Sequence, residues 1–148
     1  FIDGDELEYH DYVDLSVAVG TDRGLVVPVV RDADRKNFAE IETSIADLAA
    51  RARAGQLSVD DMTGGTFTIT NLGLYGIDAF TPVINPPEAA ILGVGQLREK
   101  AWAENGQVVA RMSMTLSLTL DHRIVDGAPA ARFLARVDEL IEHPYLLI

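Results

Sequence analysis

A histidine and an aspartate four residues apart form the clearest candidate for chemistry in this chain. The segment Asp121-His122-Arg123-Ile124-Val125-Asp126-Gly127 follows a long alternating run of apolar and polar residues and precedes a helical pattern. An imidazole titrates near neutral pH, so a histidine at the end of a strand is suited to act as a general base. The alternative is a histidine that only completes the structure, as is common for an isolated His-x-x-x-Asp match.

The alternating run predicts one long strand over residues 108–120, with one buried and one polar face. The apolar even positions are Val108, Ala110, Met112, Met114, Leu116, Leu118 and Leu120. Carried forward, this period places the His122 side chain on the buried side. A buried histidine needs a hydrogen-bond partner or a function.

Composition narrows the classes of function. The 148 residues contain 48% hydrophobic and 24% charged residues, typical of a single globular domain. With no cysteine, the chain has no disulfide, no thiolate zinc site and no cysteine nucleophile. The net charge of −11 argues against nucleic acid as a partner, and no apolar run is long enough to span a membrane. We see no metal-ligand cluster and no phosphate-binding glycine loop with a lysine.

Two helices are predicted from apolar spacing. In the first, Asn37 is a candidate N-cap with Glu40 three residues later, and Gly55 is a candidate C-cap. Its apolar face contains Phe38, Ile41, Ile45, Leu48 and Ala52. The second helix carries Ala130, Phe133, Leu134, Val137, Leu140 and Ile141, and ends at His143-Pro144.

Strand patterns surround these helices. They predict an N-terminal hairpin with a turn at Asp3-Gly4-Asp5, strands over 13–18, 25–30, 66–70 and 89–94, turns at 22–24 and 105–106, and an edge or bulge at Pro28. Mixed strands with interspersed helices indicate a two-layer α/β domain with a mixed sheet.

Four segments together resemble the catalytic domain of the dihydrolipoamide acyltransferases, the E2 components of 2-oxo acid dehydrogenase complexes. Besides the His122 segment, they are Leu25-Val26-Val27-Pro28-Val29, Gly64-Gly65-Thr66-Phe67-Thr68-Ile69-Thr70-Asn71-Leu72-Gly73 and Ile84-Asn85-Pro86-Pro87-Glu88-Ala89-Ala90-Ile91-Leu92-Gly93. The resemblance implies a fold like that of chloramphenicol acetyltransferase. It also implies that residues 1–148 are the C-terminal portion of that domain, without its N-terminal part and without lipoyl and subunit-binding domains.

The resemblance implies transfer of an acyl group between the thiols of dihydrolipoamide and coenzyme A. A thiol with a pKa of about 8.5 is mostly protonated at neutral pH, so a base must remove its proton. His122 stands at the family's base position, and Thr70 at the position of a hydroxyl that stabilises the oxyanion. The two are expected to meet across a subunit boundary in a trimer. For Thr70, an ordinary strand residue is the alternative.

Asp126 matches an acidic position of the family, and two roles stay open for it. It is either the N-cap of the second helix or an active-site residue that fixes local geometry or holds an arginine. Arg123 is expected to fix structure rather than touch substrate. His10 and His143 are interpreted as structural.

Asn71-Leu72-Gly73 resembles the acetyl- and branched-chain-transferring members of this family more than the succinyl-transferring ones, which implies an acetyl group, with a branched-chain acyl group as an alternative. Coenzyme A is the expected substrate, although spacing alone names no residues that bind it, and the lipoyl group belongs to a domain outside this chain.

Expected partners are two further copies in a homotrimer, a larger cubic or dodecahedral core, and the E1 and E3 components through absent domains. The expected location is the cytoplasm, or the mitochondrial matrix in a eukaryote. Two other hypotheses are an inactive fragment that forms a structural core, and a free-standing acetyltransferase with a small acceptor.

Overall fold

The computed structural model describes residues 1–4 and 6–147 and shows strands interspersed with two α-helices. In chain order the strands are β1 (Ile2–Asp3), β2 (Glu6–Leu7), β3 (Leu15–Val17), β4 (Val19–Thr21), β5 (Gly24–Val26), β6 (Val29–Val30), β7 (Phe67–Asn71), β8 (Ala90–Val94), β9 (Arg98–Glu104), β10 (Gln107–Ser113) and β11 (Leu116–Leu120). The helices are α1 (Phe38–Ala54) and α2 (Gly127–Glu142). Neither helix, within the described residues, has the length and apolar character needed to cross a membrane.

A mixed five-stranded sheet organises the chain, as the sequence predicts. Its strand order is β11-β8-β7-β3-β6. The central strand β7 runs parallel to both neighbours, β3 and β8, whereas the outer strands β11 and β6 pair antiparallel. The α/β class with a mixed sheet is therefore confirmed.

Helix α1 has the ends predicted from sequence. The Asn37 side chain accepts a hydrogen bond from the Glu40 amide at 3.0 Å, and the Glu40 carboxylate accepts one from the Asn37 amide at 2.8 Å. Gly55 ends the helix in the left-handed conformation. Leu48 and Ala52 are buried where α1 contacts β4 and β6, but Phe38 in the first turn is exposed, so the predicted buried face covers only part of the helix.

The N-terminal hairpin and the proline break are also confirmed. Strands β1 and β2 pair antiparallel, with Ile2 opposite Leu7. Of the predicted turn between them, Asp5 lies outside the described residues. The predicted strand over 25–30 is divided at Pro28 into β5 and β6, and β6 is an edge of the five-stranded sheet. An edge position suits a proline-broken strand because proline donates no ladder hydrogen bond.

The prediction of one long strand over 108–120 is wrong. The Asn105-Gly106 turn, with positive φ at both residues, folds β10 back on β9 as a separate hairpin, and the main sheet resumes only at β11. The alternation of apolar and polar residues in this segment therefore does not identify side chains that are buried within the chain. The Val108 side chain is 79% exposed, and Met112 is exposed as well.

Candidate active site

His122 lies in a tight turn between β11 and α2. The Asp121 amide donates to the Ala89 carbonyl at 2.8 Å, which is the last backbone bond toward β8. The Asp121 carbonyl then accepts hydrogen bonds from the amides of Ile124, at 2.9 Å, and Val125, at 3.0 Å. These bonds turn the chain immediately after Leu120, so the period of the strand does not continue to His122. Its side chain is 72% exposed, and the prediction that it faces the buried side is wrong.

An ion pair within this turn holds its shape. The Arg123 guanidinium donates to both carboxylate oxygens of Asp121, at 2.6–3.2 Å, and the Arg123 amide donates to the same carboxylate at 3.0 Å. These bonds from Arg123 lower the pKa of Asp121 to about 2. Arg123 thus supports the turn, which is the structural part of the role predicted from the sequence.

Asp121 is a supporting residue that sequence reasoning missed. An aspartate side chain commonly accepts a hydrogen bond from the backbone amide two residues later and so closes a turn of this kind. Asp121 stands two residues before Arg123, so the sequence contained this signal.

The Asp126 carboxylate faces the imidazole of His122. Its Oδ1 atom lies 3.8 Å from His122 Nδ1, which is too far for a hydrogen bond. This arrangement leaves Nε2 as the nitrogen that faces away from Asp126. Asp126 also occupies the N-cap position of α2, but its side chain accepts no capping hydrogen bond there. The sequence left two roles open for Asp126, helix N-cap or active-site residue. The structure does not support the first, because the capping hydrogen bond is not formed.

Thr70 lies on the central strand β7, half-buried and opposite Gly93 of β8. Directly after it, the Asn71 carboxamide oxygen accepts a hydrogen bond from the Gly73 amide at 2.8 Å, and the chain leaves the sheet. The loop that follows is held by Asp78, which pairs with Lys100 at 2.6 Å and with Arg98 at 3.1 Å. These cations keep the pKa of Asp78 below its usual value.

The sheet register separates Thr70 from His122 within one chain. Gly93 pairs with Thr70 on one side and Ser117 on the other, while Leu120 pairs with Ala90. At about 3.3 Å per residue along a strand and about 4.8 Å between strands, Leu120 is about 10 Å along the sheet and about 10 Å across it from Thr70. His122 comes two residues later. The chain therefore brings His122 and Asp126 together, but not His122 and Thr70.

The other two histidines are not part of the His122 turn, although His10 lines a small cavity that Ile124 of that turn also lines. His10 packs edge-on against Phe1 and Tyr12, with ring centroids 4.4 and 5.1 Å apart. His143 follows the end of α2, where its amide donates to the Glu139 carbonyl at 2.9 Å. Across residues 1–4 and 6–147, no three acidic or histidine side chains are grouped in a way that would hold a metal ion.

Comparison with known proteins gives a family match over the full chain. Residues 1–148 match the model of the 2-oxoacid dehydrogenases acyltransferase (catalytic domain). Among curated relatives, the mitochondrial dihydrolipoyllysine-residue succinyltransferase component of 2-oxoglutarate dehydrogenase complex 1 of Arabidopsis thaliana is 50% identical over 147 residues. The corresponding component of Haemophilus influenzae is 52% identical. Each alignment covers 99% of this chain but only 32% and 36% of the relative, so the chain spans about a third of their length.

Solved structures show the same fold. The dihydrolipoamide acetyltransferase of Azotobacter vinelandii is 40% identical with a TM-score of 0.91, covering 98% of this chain and 60% of that one. A probable dihydrolipoamide acetyltransferase from Listeria monocytogenes is 36% identical with the same TM-score, covering 95% of this chain and 60% of that one. The expected likeness to acyltransferase catalytic cores is thus confirmed. With the family model matched over residues 1–148, the chain belongs to the 2-oxoacid dehydrogenase acyltransferase family, in the part that forms its catalytic domain.

Proposed function

We propose that this chain, as the C-terminal portion of an acyltransferase catalytic domain, transfers a succinyl group between dihydrolipoamide and coenzyme A in a 2-oxo acid dehydrogenase complex. The observation that carries the proposal is the exposed His122, which a hydrogen-bonded turn places beside Asp126. Family membership supports the reaction class. In this proposal coenzyme A is a substrate, and the lipoyl group is carried on a domain outside residues 1–148.

His122 acts as the general base in this proposal. Its Nε2 takes the proton from the attacking thiol, and the resulting thiolate sulfur forms a bond with the thioester carbonyl carbon. The tetrahedral intermediate then collapses, the original carbon–sulfur bond breaks, and the departing sulfur takes the proton back from the imidazolium. Asp126, 3.8 Å from Nδ1, stabilises that imidazolium between the two proton transfers.

Thr70 supplies a hydroxyl to the oxyanion of the tetrahedral intermediate. Since the register separates Thr70 from His122 of the same chain, the proposal requires a second copy to bring them together. A homotrimer in which each site lies between two copies meets this requirement. A larger core built from such trimers is supported by the similar structure described as the cubic core of the pyruvate dehydrogenase multienzyme complex, at 40% identity and a TM-score of 0.91.

The succinyl group replaces the acetyl group that the sequence analysis favoured from Asn71-Leu72-Gly73. The curated relatives at 50% and 52% identity are succinyltransferase components, whereas the structures named as acetyltransferases are less similar, at 40% and 36%. The names of these relatives support a place in a dehydrogenase complex, and one of them is mitochondrial. Contact with E1 and E3 components through other domains, and a location in a bacterial cytoplasm or a mitochondrial matrix, are further parts of this proposal.

Transfer to free dihydrolipoamide from succinyl-coenzyme A and from acetyl-coenzyme A tests the proposal. The succinyl donor should give the higher kcat/KM, and His122→Ala should lower kcat at least a hundredfold, as expected for loss of a general base. Thr70→Val should lower kcat by about 10²–10³-fold, and Thr70→Ser should restore most of it because the hydroxyl returns. Near-normal turnover in His122→Ala would remove the assignment, and a preference for the acetyl donor would correct the substrate.

A purely structural role is the second candidate, favoured by apolar side chains that stay exposed at one end of the chain. They are Ile141, Tyr145, Leu146 and Leu147. Normal assembly together with no transfer activity would favour this candidate.

A further inference from the structure

The carboxylate of Glu88 is buried at the centre of the sheet region, with only 4% of the residue exposed. Its Oε1 accepts hydrogen bonds from the Ser16 hydroxyl at 2.6 Å and from the Asn85 carboxamide at 3.3 Å, and its Oε2 accepts one from the Thr68 hydroxyl. Ser16 and Thr68 are themselves only 1% exposed. A buried carboxylate is costly unless its oxygens are bonded, so these three donors are what allow it to lie there.

Through Thr68, this cluster reaches the strand of the candidate oxyanion donor. Ser16 on β3 and Thr68 on β7 are directly opposite in the parallel pairing, and Glu88 bonds to both. Alternate residues of a strand share a face, so Thr68 and Thr70 point to the same side of the sheet. Glu88 therefore fixes β7 two residues from Thr70 and on the same face.

The residues beside Glu88 reach the turn of the candidate base. The Ala89 carbonyl accepts the hydrogen bond from the Asp121 amide at 2.8 Å, at the start of the His122 turn. Ala90 pairs with Leu120, the last residue of β11. The segment is closed on its other side by the Glu88 amide, which donates to the Asn85 carbonyl at 3.0 Å. Residues 88–90 thus contact both the Thr70 strand and the His122 turn.

Gly65 makes room for this cluster. A β-carbon at this position would lie 1.9 Å from the Ser16 hydroxyl oxygen and 2.6 Å from Glu88 Oε1. Because both atoms are buried and bonded to each other, any larger side chain would break their hydrogen bond. The second glycine of Gly64-Gly65 is therefore explained by the bonded pair of Ser16 and Glu88 rather than by the turn before β7.

We propose that Glu88 is a positioning residue for acyl transfer, which holds the Thr70 strand and the His122 turn in fixed relation through residues 88–90. The proposal rests on the proposed function. A purely stabilising role would leave kcat per folded molecule unchanged. A positioning role predicts that kcat falls even in variants that stay folded and assembled.

Steady-state kinetics of the assembled protein test this proposal, with Asp61→Ala as the control. Asp61 is also a carboxylate bonded by a serine hydroxyl, Ser58, at 2.7 Å, but its other partner is Arg51 on α1, away from the Thr70 strand and the His122 turn. At a temperature where both variants stay folded and assembled, Glu88→Ala should lower kcat at least tenfold with KM for coenzyme A changed less than twofold. Asp61→Ala should keep kcat within twofold. Glu88→Gln should recover kcat to within threefold, since its amide donates to the Thr68 hydroxyl while its oxygen still accepts from Ser16.

Amide hydrogen exchange gives a readout that does not depend on activity. Glu88→Ala should speed exchange in peptides covering 68–72 and 119–125, and Asp61→Ala should not. If Glu88→Ala does not fold, the near-isosteric Thr68→Val takes its place and should lower kcat at least threefold. Equal kcat in the Glu88 and Asp61 variants, or unchanged exchange in both peptides, would overturn the proposal. If the wild-type protein shows no transfer activity, the proposed function is overturned instead. Amide hydrogen exchange then still tests whether Glu88 links the Thr70 strand to the His122 turn.

Discussion

At the scale of single residues, the candidate base depends on Asp121, a neighbour that touches no substrate in the proposed reaction. The Asp121 carboxylate binds the Arg123 side chain and amide, and the Asp121 carbonyl closes the turn. These contacts explain why His122 projects outward although the preceding strand pattern predicted the opposite. The position of His122 after a strand was predictable from sequence, but its direction was set by side-chain contacts that a period of two does not contain.

A pH-dependent contribution to stability follows from the Asp121 ion pair. Its pKa in the folded protein, about 2, is below the value of about 4 expected in the unfolded chain. The pair therefore stabilises the fold fully above about pH 4, and its contribution disappears as pH falls through about 2. Asp121→Asn should be less stable than wild type at pH 7, and the difference should shrink between about pH 4 and pH 2.

Urea unfolding at several pH values measures this difference. Glu42→Gln, which removes an exposed carboxylate on α1, serves as the control because Glu42 lies outside the turn. A difference between wild type and Asp121→Asn that does not vary with pH would contradict the assignment.

At the scale of elements, local signals predicted helix α1 well and the strand over 108–120 poorly. The ends of α1 follow from Asn37, Glu40 and Gly55, whose effects act within a few residues. The burial of Val108 depends instead on which element covers it, and the Asn105-Gly106 turn carries that part of the chain away from the main sheet. Alternation identifies the residues that share a face, but it does not identify the partner of that face.

The cap of α1 makes a measurable contribution to stability. Asn37→Ala removes the acceptor for the Glu40 amide and should lower the free energy of unfolding by about 1 kcal/mol. Activity per folded molecule should stay unchanged, because α1 contacts β4 and β6 rather than the His122 turn. Thermal or urea unfolding measures the loss, and Thr43→Ala in the same helix is the control. Equal stability of the two variants would show that the capping box does not stabilise the protein.

At the scale of the whole molecule, the candidate site is divided between two regions of the chain. His122 and Asp126 stand at one end of β11, and Thr70 lies two strands away. The resemblance implied that Thr70 and His122 meet between two copies, and their separation within one chain is what such a site requires. Apolar residues are exposed on the β9–β10 hairpin and after α2, and the proposed assembly predicts that further copies cover them.

Deletion of residues 145–148 should reduce the size of the assembled particle. Tyr145, Leu146 and Leu147 are exposed apolar residues at the end of the described chain, and Ile148 lies outside the described residues. Sedimentation velocity should show a smaller species, while Val59→Ala, which changes an exposed apolar residue elsewhere, should leave the particle unchanged. An unchanged sedimentation coefficient after the deletion would exclude the tail from assembly.

The parallel pairing of β3 with β7 also has a consequence for how the protein folds. Leu15 pairs with Phe67, so this contact closes a loop of about fifty residues, whereas only Asn105 and Gly106 separate β9 from β10. Short hairpins form in about 1–10 μs, and contacts distant in sequence form more slowly because a long loop must first close. The β9–β10 hairpin is therefore expected to form early and the pairing of the strand that carries Thr70 late. The candidate oxyanion donor thus reaches its place in the sheet only near the end of folding.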